Sequence, residues 1–176
     1  NRSMYTEYQP SHLLVPYIDS YWEFKGNPDY GMRIHILPDG CTDFIFTLGE
    51  VANAVEEGSL MMQPYRSYFV GPMTKYSELV TYTESIHMFG VRFLPCGLSC
   101  FTNLPLHEFV NSRVSTNEMK AVFDDTFIER LCEQKHIADR IRVVEEYLLA
   151  YLARHYQPAD SHVAMAVNMI NHSKGK

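Results

Sequence analysis

Two arginines and two histidines on predicted strands are the side chains whose chemistry stands out first. Arg33, His35, His87 and Arg92 each alternate with apolar residues, which places them on one face of a strand. A guanidinium group binds carboxylates and phosphates through paired hydrogen bonds, and an imidazole binds a proton or a metal ion near neutral pH. We therefore interpret these residues as candidate contacts for a small ligand.

Arg92 has two interpretations, which depend on where its strand faces. It alternates with Phe89, Val91 and Phe93. If the apolar face is the interior of a barrel, Arg92 points outward and pairs with a carboxylate. If the barrel is hollow, Arg92 faces a pocket and holds an anionic ligand.

Aromatic side chains add to the candidate contacts. Trp22 and Phe24 share one face of a predicted strand, and Tyr21 lies on the other face. Aromatic residues at strand spacing form either a core or one wall of a ligand site. We include Trp22, together with Phe46 from a later strand, in the predicted ligand-binding set.

Neither metal nor cofactor chemistry is predicted. A metal site built on neighbouring strands can use a close His-x-His pair followed by Glu and another His, and the sequence contains no His-x-His. The spacing of Cys96 and Cys100 lacks the second cysteine pair of a zinc site. No nucleophile elbow and no phosphate-binding glycine loop is present. We therefore expect no metal, no cofactor and no enzymatic activity.

Two carboxylates near a predicted turn have a simpler explanation than catalysis. Asp39 lies within the Pro-Asp-Gly turn at 38–40, Asp43 follows the turn, and both lie near Arg33 in a predicted hairpin. An aspartate beside a turn usually accepts a hydrogen bond from its own backbone. This interpretation is favoured over a catalytic carboxylate pair.

The amino-terminal half of the chain has the spacing of strands and turns. Strands are predicted at residues 5–10, 19–25, 33–37, 41–48, 67–72, 77–84 and 86–94. The segments 33–37 and 41–48 form a hairpin in this prediction, and 77–84 and 86–94 form two antiparallel strands. Short strands separated by glycine and proline indicate a small barrel or sandwich.

The second half has helical spacing. Helical residues are predicted at 97–110, a capping box at 115–118, a long amphipathic helix at 137–156, and another amphipathic helix at 161–171. The stripe of the long helix is the predicted dimerisation surface, with packing against the barrel as the equal alternative. Its residues are Ile137, Ile141, Val144, Leu148, Tyr151 and Leu152.

Composition limits the classes of protein that remain. The 176 residues are 46% hydrophobic and 13% aromatic, which excludes global disorder. The net charge of -6 argues against nucleic-acid binding by this chain alone, since such binding normally needs a basic face. No apolar run spans a membrane and no signal-peptide pattern is present, so we expect a cytoplasmic protein without membrane contact.

Three segments together resemble the amino-terminal half of AraC-type transcriptional regulators. The first comprises 8–11, Tyr17 and the Tyr-Trp-Glu-Phe motif at 21–24. The second is Ile-Leu-Pro-Asp-Gly-Cys-Thr-Asp-Phe-Ile-Phe at 36–46. The third comprises Phe-Val-Gly-Pro at 69–72 and Phe-Gly-Val-Arg-Phe-x-Pro-x-Gly-Leu at 89–98. Cys96 departs from the family, which commonly has glycine there.

The resemblance implies an α+β fold, with a cupin-like antiparallel β-barrel followed by a C-terminal helical subdomain. The expected domains are a barrel sensor at 1–96, a helical dimerisation and linker subdomain at 97–158, and the start of a truncated DNA-binding domain at 159–176. The implied partners are a small-molecule effector, a second copy in a homodimer, and DNA only through a C-terminal domain missing from this chain.

The implied function is effector sensing in the barrel, relayed through the helices to the DNA-binding domain. Two alternatives stay open at this stage. One is a cupin-type metal-dependent enzyme, and the other is a purely structural dimerisation module whose barrel is filled by its own aromatic side chains.

Overall fold

The fold is taken from a computed structural model, which describes residues 4–29, 31–36, 38–49, 62–75, 77–81, 85–116, 122–123 and 126–156. The predicted helix at 161–171 and the predicted start of a DNA-binding domain at 159–176 lie outside these ranges. Residues 117 and 118 of the predicted capping box at 115–118 also lie outside them, and its Ser115 ends a strand.

The described residues form an α+β fold with eight strands and two α-helices. In chain order the strands are β1 (Tyr5–Tyr8), β2 (Ile18–Gly26), β3 (Arg33–Ile36), β4 (Thr42–Thr47), β5 (Ser67–Val70), β6 (Ser77–Val80), β7 (Ile86–Phe93) and β8 (Arg113–Ser115). The helices are α1 (Phe127–Cys132) and α2 (Ile137–His155). Short 3₁₀ turns at Leu98–Cys100 and Leu106–Phe109 replace the helix predicted at 97–110.

The larger sheet is antiparallel and open, so the predicted closed barrel is corrected. Its six strands run in the order β1-β2-β7-β4-β5-β8, and β3 pairs with β6 in a separate two-stranded sheet. Within the described ranges, β1 and β8 are the two edges and do not pair with each other. Strand β8 belongs to this sheet, although its residues lie in the segment 97–158 that was predicted to be a helical subdomain.

The two predicted local strand pairings were wrong. Strand β3 pairs with β6, with His35 opposite Glu78, and β4 lies between β5 and β7. Strand β7 pairs with β2 and β4 and not with the preceding strand β6. A tight turn favours a hairpin between its flanking strands, but here the chain crosses from one sheet to the other at residues 38–41.

Alternation along the strands gives the larger sheet two buried faces. One face carries Tyr21, Phe44, Phe89 and Phe93, all in the larger core cluster with the helices. The opposite face carries a second cluster, formed by Trp22, Phe24, Ile45, Met62, Tyr68, Val70, Met73, Ile86 and Met88. Every residue of β4 is buried, as expected for a strand covered on both sides.

Helix α2 confirms the strongest helix prediction to within one residue and covers the first face of the sheet. Val144 and Leu148 are fully buried in the larger core, and Leu152 is nearly so. Ile137, Ile141 and Tyr151 are partly buried against the same core. The stripe is therefore used in packing within the chain, and its contact with a second copy stays a prediction.

Candidate functional site

A cavity of about 390 Å³ lies between the second face of the larger sheet and the small β3–β6 sheet. Cavities of this size hold small organic molecules. The lining combines aromatic and thioether side chains with a group of charged residues. Its residues are Tyr5, Glu7, Trp22, Phe24, Met32, Arg33, His35, Asp39, Cys41, Asp43, Ile45, Val70, Met73, Met88 and Arg92.

The indole of Trp22 forms part of the cavity wall and is fixed on two sides. Trp22 and Gly90 are partners across the β2–β7 ladder. The indole ring occupies the space where a side chain on Gly90 would lie. The indole nitrogen donates a hydrogen bond of 2.9 Å to Oδ1 of Asp43 on β4. Gly90 on β7 and Asp43 on β4 thus define one orientation of the Trp22 ring.

Arg92 faces the cavity and is also paired with carboxylates. Its environment therefore combines the pocket of one interpretation with the carboxylate partner of the other. Its Nε donates to Oδ1 of Asp43 at 3.2 Å. Its Nη1 donates to Oε1 of Glu7 at 3.4 Å, and the same Glu7 oxygen accepts a 2.7 Å bond from the Tyr5 hydroxyl. The apolar face that alternates with Arg92 is covered by helices.

The electrostatics of this group follow from burial and pairing. The side chains of Asp43 and Arg92 are only 13% and 23% exposed. Burial raises the pKa of Asp43, while the Arg92 guanidinium and the Trp22 hydrogen bond act in the opposite direction. Burial lowers the pKa of Arg92, but Asp43, Tyr5 and Asp39 together raise it by more. The pKa of Arg92 therefore lies above its ordinary value. Arg92 is therefore a permanent cation held between carboxylates.

The small sheet contributes the more exposed wall of the cavity. Nη1 of Arg33 lies 3.3 Å from Oε2 of Glu78, and Nδ1 of His35 lies 3.3 Å from Oε1 of the same residue. The side chains of Arg33 and His35 are largely exposed. Ion pairs of this kind exchange readily with solvent, so this wall can rearrange around a ligand.

Asp39 and Cys41 lie where the chain crosses between the sheets. Oδ1 of Asp39 accepts a 2.9 Å bond from the backbone N–H of Cys41, which confirms the turn interpretation of this aspartate. Burial raises the pKa of the Cys41 thiol to about 12, and Asp39 adds to the effect. The thiol therefore stays protonated and is a poor nucleophile near neutral pH.

The predicted ligand contacts divide between the two faces of the sheet. Trp22, Arg33, His35 and Arg92 line the cavity. Phe46 lies on the helix-covered face, stacked on Phe89 at a centroid distance of 6.2 Å.

His87 lies on the same helix-covered face as Phe46. Its Nε2 is 2.9 Å from Oε2 of Glu23. Burial lowers the pKa of His87, and Glu23 opposes this shift.

Strand β2 connects the cavity to helix α2. On either side of Trp22, Tyr21 and Glu23 point to the other face of the sheet. The Tyr21 hydroxyl donates to Oε2 of Glu145 at 3.0 Å, and Nη1 of Arg140 lies 3.3 Å from Oε2 of Glu23. Three consecutive residues thus join the cavity wall to two charged positions of the long helix.

The sequence interpretation missed Glu7 and the role of Gly90 in making room for the indole, and it did not identify the partner of Asp43. The paired cation of Asp43 is Arg92, although the predicted hairpin placed it near Arg33. A charged residue inside the run Asp-Phe-Ile-Phe indicates a buried partner. That partner becomes identifiable only from the β4–β7 register, in which Asp43 lies opposite Arg92.

Among the residues that the structure describes, no three His, Cys, Asp or Glu side chains are grouped so that they could hold a metal ion. Within the same part of the chain, neither α-helix has the length and apolar character needed to cross a membrane.

Comparison with known proteins places the chain in a family. A search of curated proteins gave no match. The family described as "Domain of unknown function (DUF6597)" matches residues 6–115. The matched region contains all eight strands and all the residues that line the cavity, apart from Tyr5 at its start. Because the match covers more than half of the sequence, this chain belongs to the DUF6597 family.

Proposed function

We propose that the chain is the ligand-sensing part of an AraC-type transcriptional regulator and that the small molecule binds in the cavity beside Trp22. The observation that carries the proposal is the position of β2 between the cavity and helix α2. Trp22 faces the cavity, while Tyr21 and Glu23 bond to Glu145 and Arg140 of the helix.

The cavity has the composition of a small-molecule site. Its apolar surface comes from aromatic and methionine side chains, and its polar groups are concentrated around Arg92. A few fixed polar groups in a mostly apolar cavity give a ligand one orientation. Methionine side chains adapt to the ligand's shape because they are unbranched and flexible.

The proposed mechanism is a shift between two arrangements of α2. A ligand that moves the Trp22 ring also moves strand β2, and with it the partners of Glu145 and Arg140. Such a response requires that the ligand bind one arrangement more tightly than the other. In the longer protein implied by the resemblance, the change in α2 would alter the placement of a DNA-binding domain that follows this chain.

Two steps test the proposal. A metabolite library is first screened by thermal unfolding of the chain, because a ligand selective for the folded state raises the melting temperature. Each hit is then added to the longer regulator in an operator-binding assay. The proposal predicts a hit that changes operator affinity. A complete library without a hit, or hits without effect on operator binding, would contradict it.

Tyr21→Phe in the longer regulator tests the connection itself. This change deletes the bond to Glu145 and leaves the lining of the cavity intact. Tyr156→Phe is the matched control, since the Tyr156 hydroxyl donates to the carbonyl oxygen of Cys100 and makes no described bond to β2. We expect ligand affinity to persist in both variants and the operator response to fall only in Tyr21→Phe. Equal responses in the two variants would exclude this connection.

A further inference from the structure

We propose that the cavity selects an organic cation, namely a protonated amine on a small aromatic or apolar body, over a carboxylate or phosphate of the same size. This inference rests on the proposed function, because it names the class of ligand for the same site. It is carried by the charges on the lining and by the bonds that its arginines already make.

Carboxylates outnumber guanidinium groups on the cavity wall. Glu7, Asp39 and Asp43 line it together with Arg33 and Arg92. Each arginine is already bonded to carboxylates, Arg92 to Asp43 and Glu7, and Arg33 to Glu78. An anionic ligand that reached either guanidinium would lie close to the negative charge of these carboxylates, which opposes its binding.

A cationic ligand is attracted by the same carboxylates, which still have acceptor sites for it. A carboxylate has two oxygens and about four acceptor sites, so a bonded carboxylate still accepts a further donor. Asp39 is exposed and uses Oδ1 to accept from the backbone of Cys41. An ammonium group beside Asp39 or Glu7 therefore gains charge-assisted hydrogen bonds without displacing an existing ion pair.

The aromatic wall favours the same class of ligand. Tyr5 and Trp22 lie with ring centroids 6.0 Å apart and their planes tilted by 33°, and Phe24 extends the wall along β2. The face of an aromatic ring attracts a cation, and tryptophan attracts it most strongly. The methionine side chains on the lining provide an apolar surface for the body of the ligand.

A matched series of probes tests the charge directly. 2-Phenylethylamine, 2-phenylethanol and phenylacetate share a phenyl body and differ in charge. Trp22 is the one tryptophan of the chain, so its fluorescence reports binding at this wall. We expect the amine to bind at least about tenfold more tightly than phenylacetate, with the alcohol between them. Equal or tighter binding of phenylacetate would overturn the inference.

Two neutralising variants locate the effect. Glu7→Gln and Asp39→Asn should each weaken binding of the amine several-fold and leave binding of the alcohol unchanged. Glu146→Gln, on an exposed position of α2, is the matched control and should leave both unchanged. Should Glu7→Gln fail to fold, Asp39→Asn still decides the question. Loss of amine and alcohol binding to the same extent would contradict the role of charge.

The inference and the proposed function fail in different ways. If none of the three probes binds, while a library compound shifts both Trp22 fluorescence and the melting temperature, the cation inference is wrong and ligand sensing stands. If neither the probes nor the library bind, both proposals are wrong.

Discussion

The indole of Trp22 lies directly over Gly90 on the neighbouring strand, in the space that any larger residue at that position would fill. The ring's nitrogen is held by Asp43, so it cannot turn aside without breaking a buried hydrogen bond. This relationship fixes the main aromatic surface of the cavity. It also makes the size of residue 90 a determinant of the shape of the site.

Gly90→Ala should therefore destabilise the chain and displace the ring. We expect a loss of about 2 kcal/mol in the free energy of unfolding, as for overpacked cores, together with a shift in Trp22 emission. Urea titration followed by circular dichroism measures the loss. In a double-mutant cycle with Trp22→Phe, the smaller ring should relieve part of the cost, giving a coupling of about 1 kcal/mol. Strict additivity would show that the two residues do not share this space.

Arg92→Met should destabilise the chain because it leaves Asp43 buried without its cation. Removing one partner of a buried ion pair costs about 3 kcal/mol or more. Adding Asp43→Asn should restore much of this loss, since the uncompensated charge is then gone. Arg142→Met is the control, because Arg142 is exposed and its pair with Asp139 is worth less than about 1 kcal/mol. Comparable losses in Arg92→Met and Arg142→Met would refute the buried pair.

The His87 side chain predicts how stability depends on pH. Burial lowers the pKa of His87, and the nearby Arg140 and Lys25 contribute in the same direction, while Glu23 opposes them. Because the pKa is lower in the folded state than in the unfolded state, protonation favours unfolding. The stabilising contribution is complete above the ordinary histidine pKa of about 6.5 and is lost as the pH falls from there through the lower pKa of the folded state.

The measurement compares urea midpoints of the wild type and His87→Gln between pH 8 and pH 5. The wild type should lose stability relative to His87→Gln as the pH falls. His107→Gln controls for the substitution at an exposed position. A difference between wild type and His87→Gln that is independent of pH would contradict the assignment.

Cys41 should be the slowest of the described cysteines to react with a thiol reagent near pH 8. Burial raises its pKa to about 12, whereas Cys96 is exposed. Mass spectrometry after timed alkylation gives the order of modification. Modification of Cys41 at the rate of Cys96 would mean that the cavity wall opens readily to solvent.

Local patterns predicted the individual elements better than their arrangement. Helix α2 was predicted to within one residue because its apolar stripe repeats at three- and four-residue steps and is buried on one side. Strands β2 and β7 were also predicted, since large aromatic residues alternate along them. These patterns depend only on neighbours in the sequence.

Strand pairing was not predictable in the same way. The turn at 38–40 favours a hairpin, but β3 joins β6 and β4 joins β5 and β7. The buried faces of both possible arrangements contain the same residues, so alternation along the strand does not distinguish them. For the same reason the sequence left both environments of Arg92 open. The helices cover the opposite face of the sheet, and this arrangement places Arg92 toward the cavity.

The indole N–H resonance of Trp22 tests the central claim most directly. The chain contains one tryptophan, so a ¹⁵N-labelled sample gives a single indole signal from the wall of the cavity. A small molecule that stabilises the fold should shift this signal in a saturable manner, with the same dissociation constant as its effect on the melting temperature. Stabilising ligands that leave the indole resonance unmoved would show that the cavity between the two sheets is not the binding site.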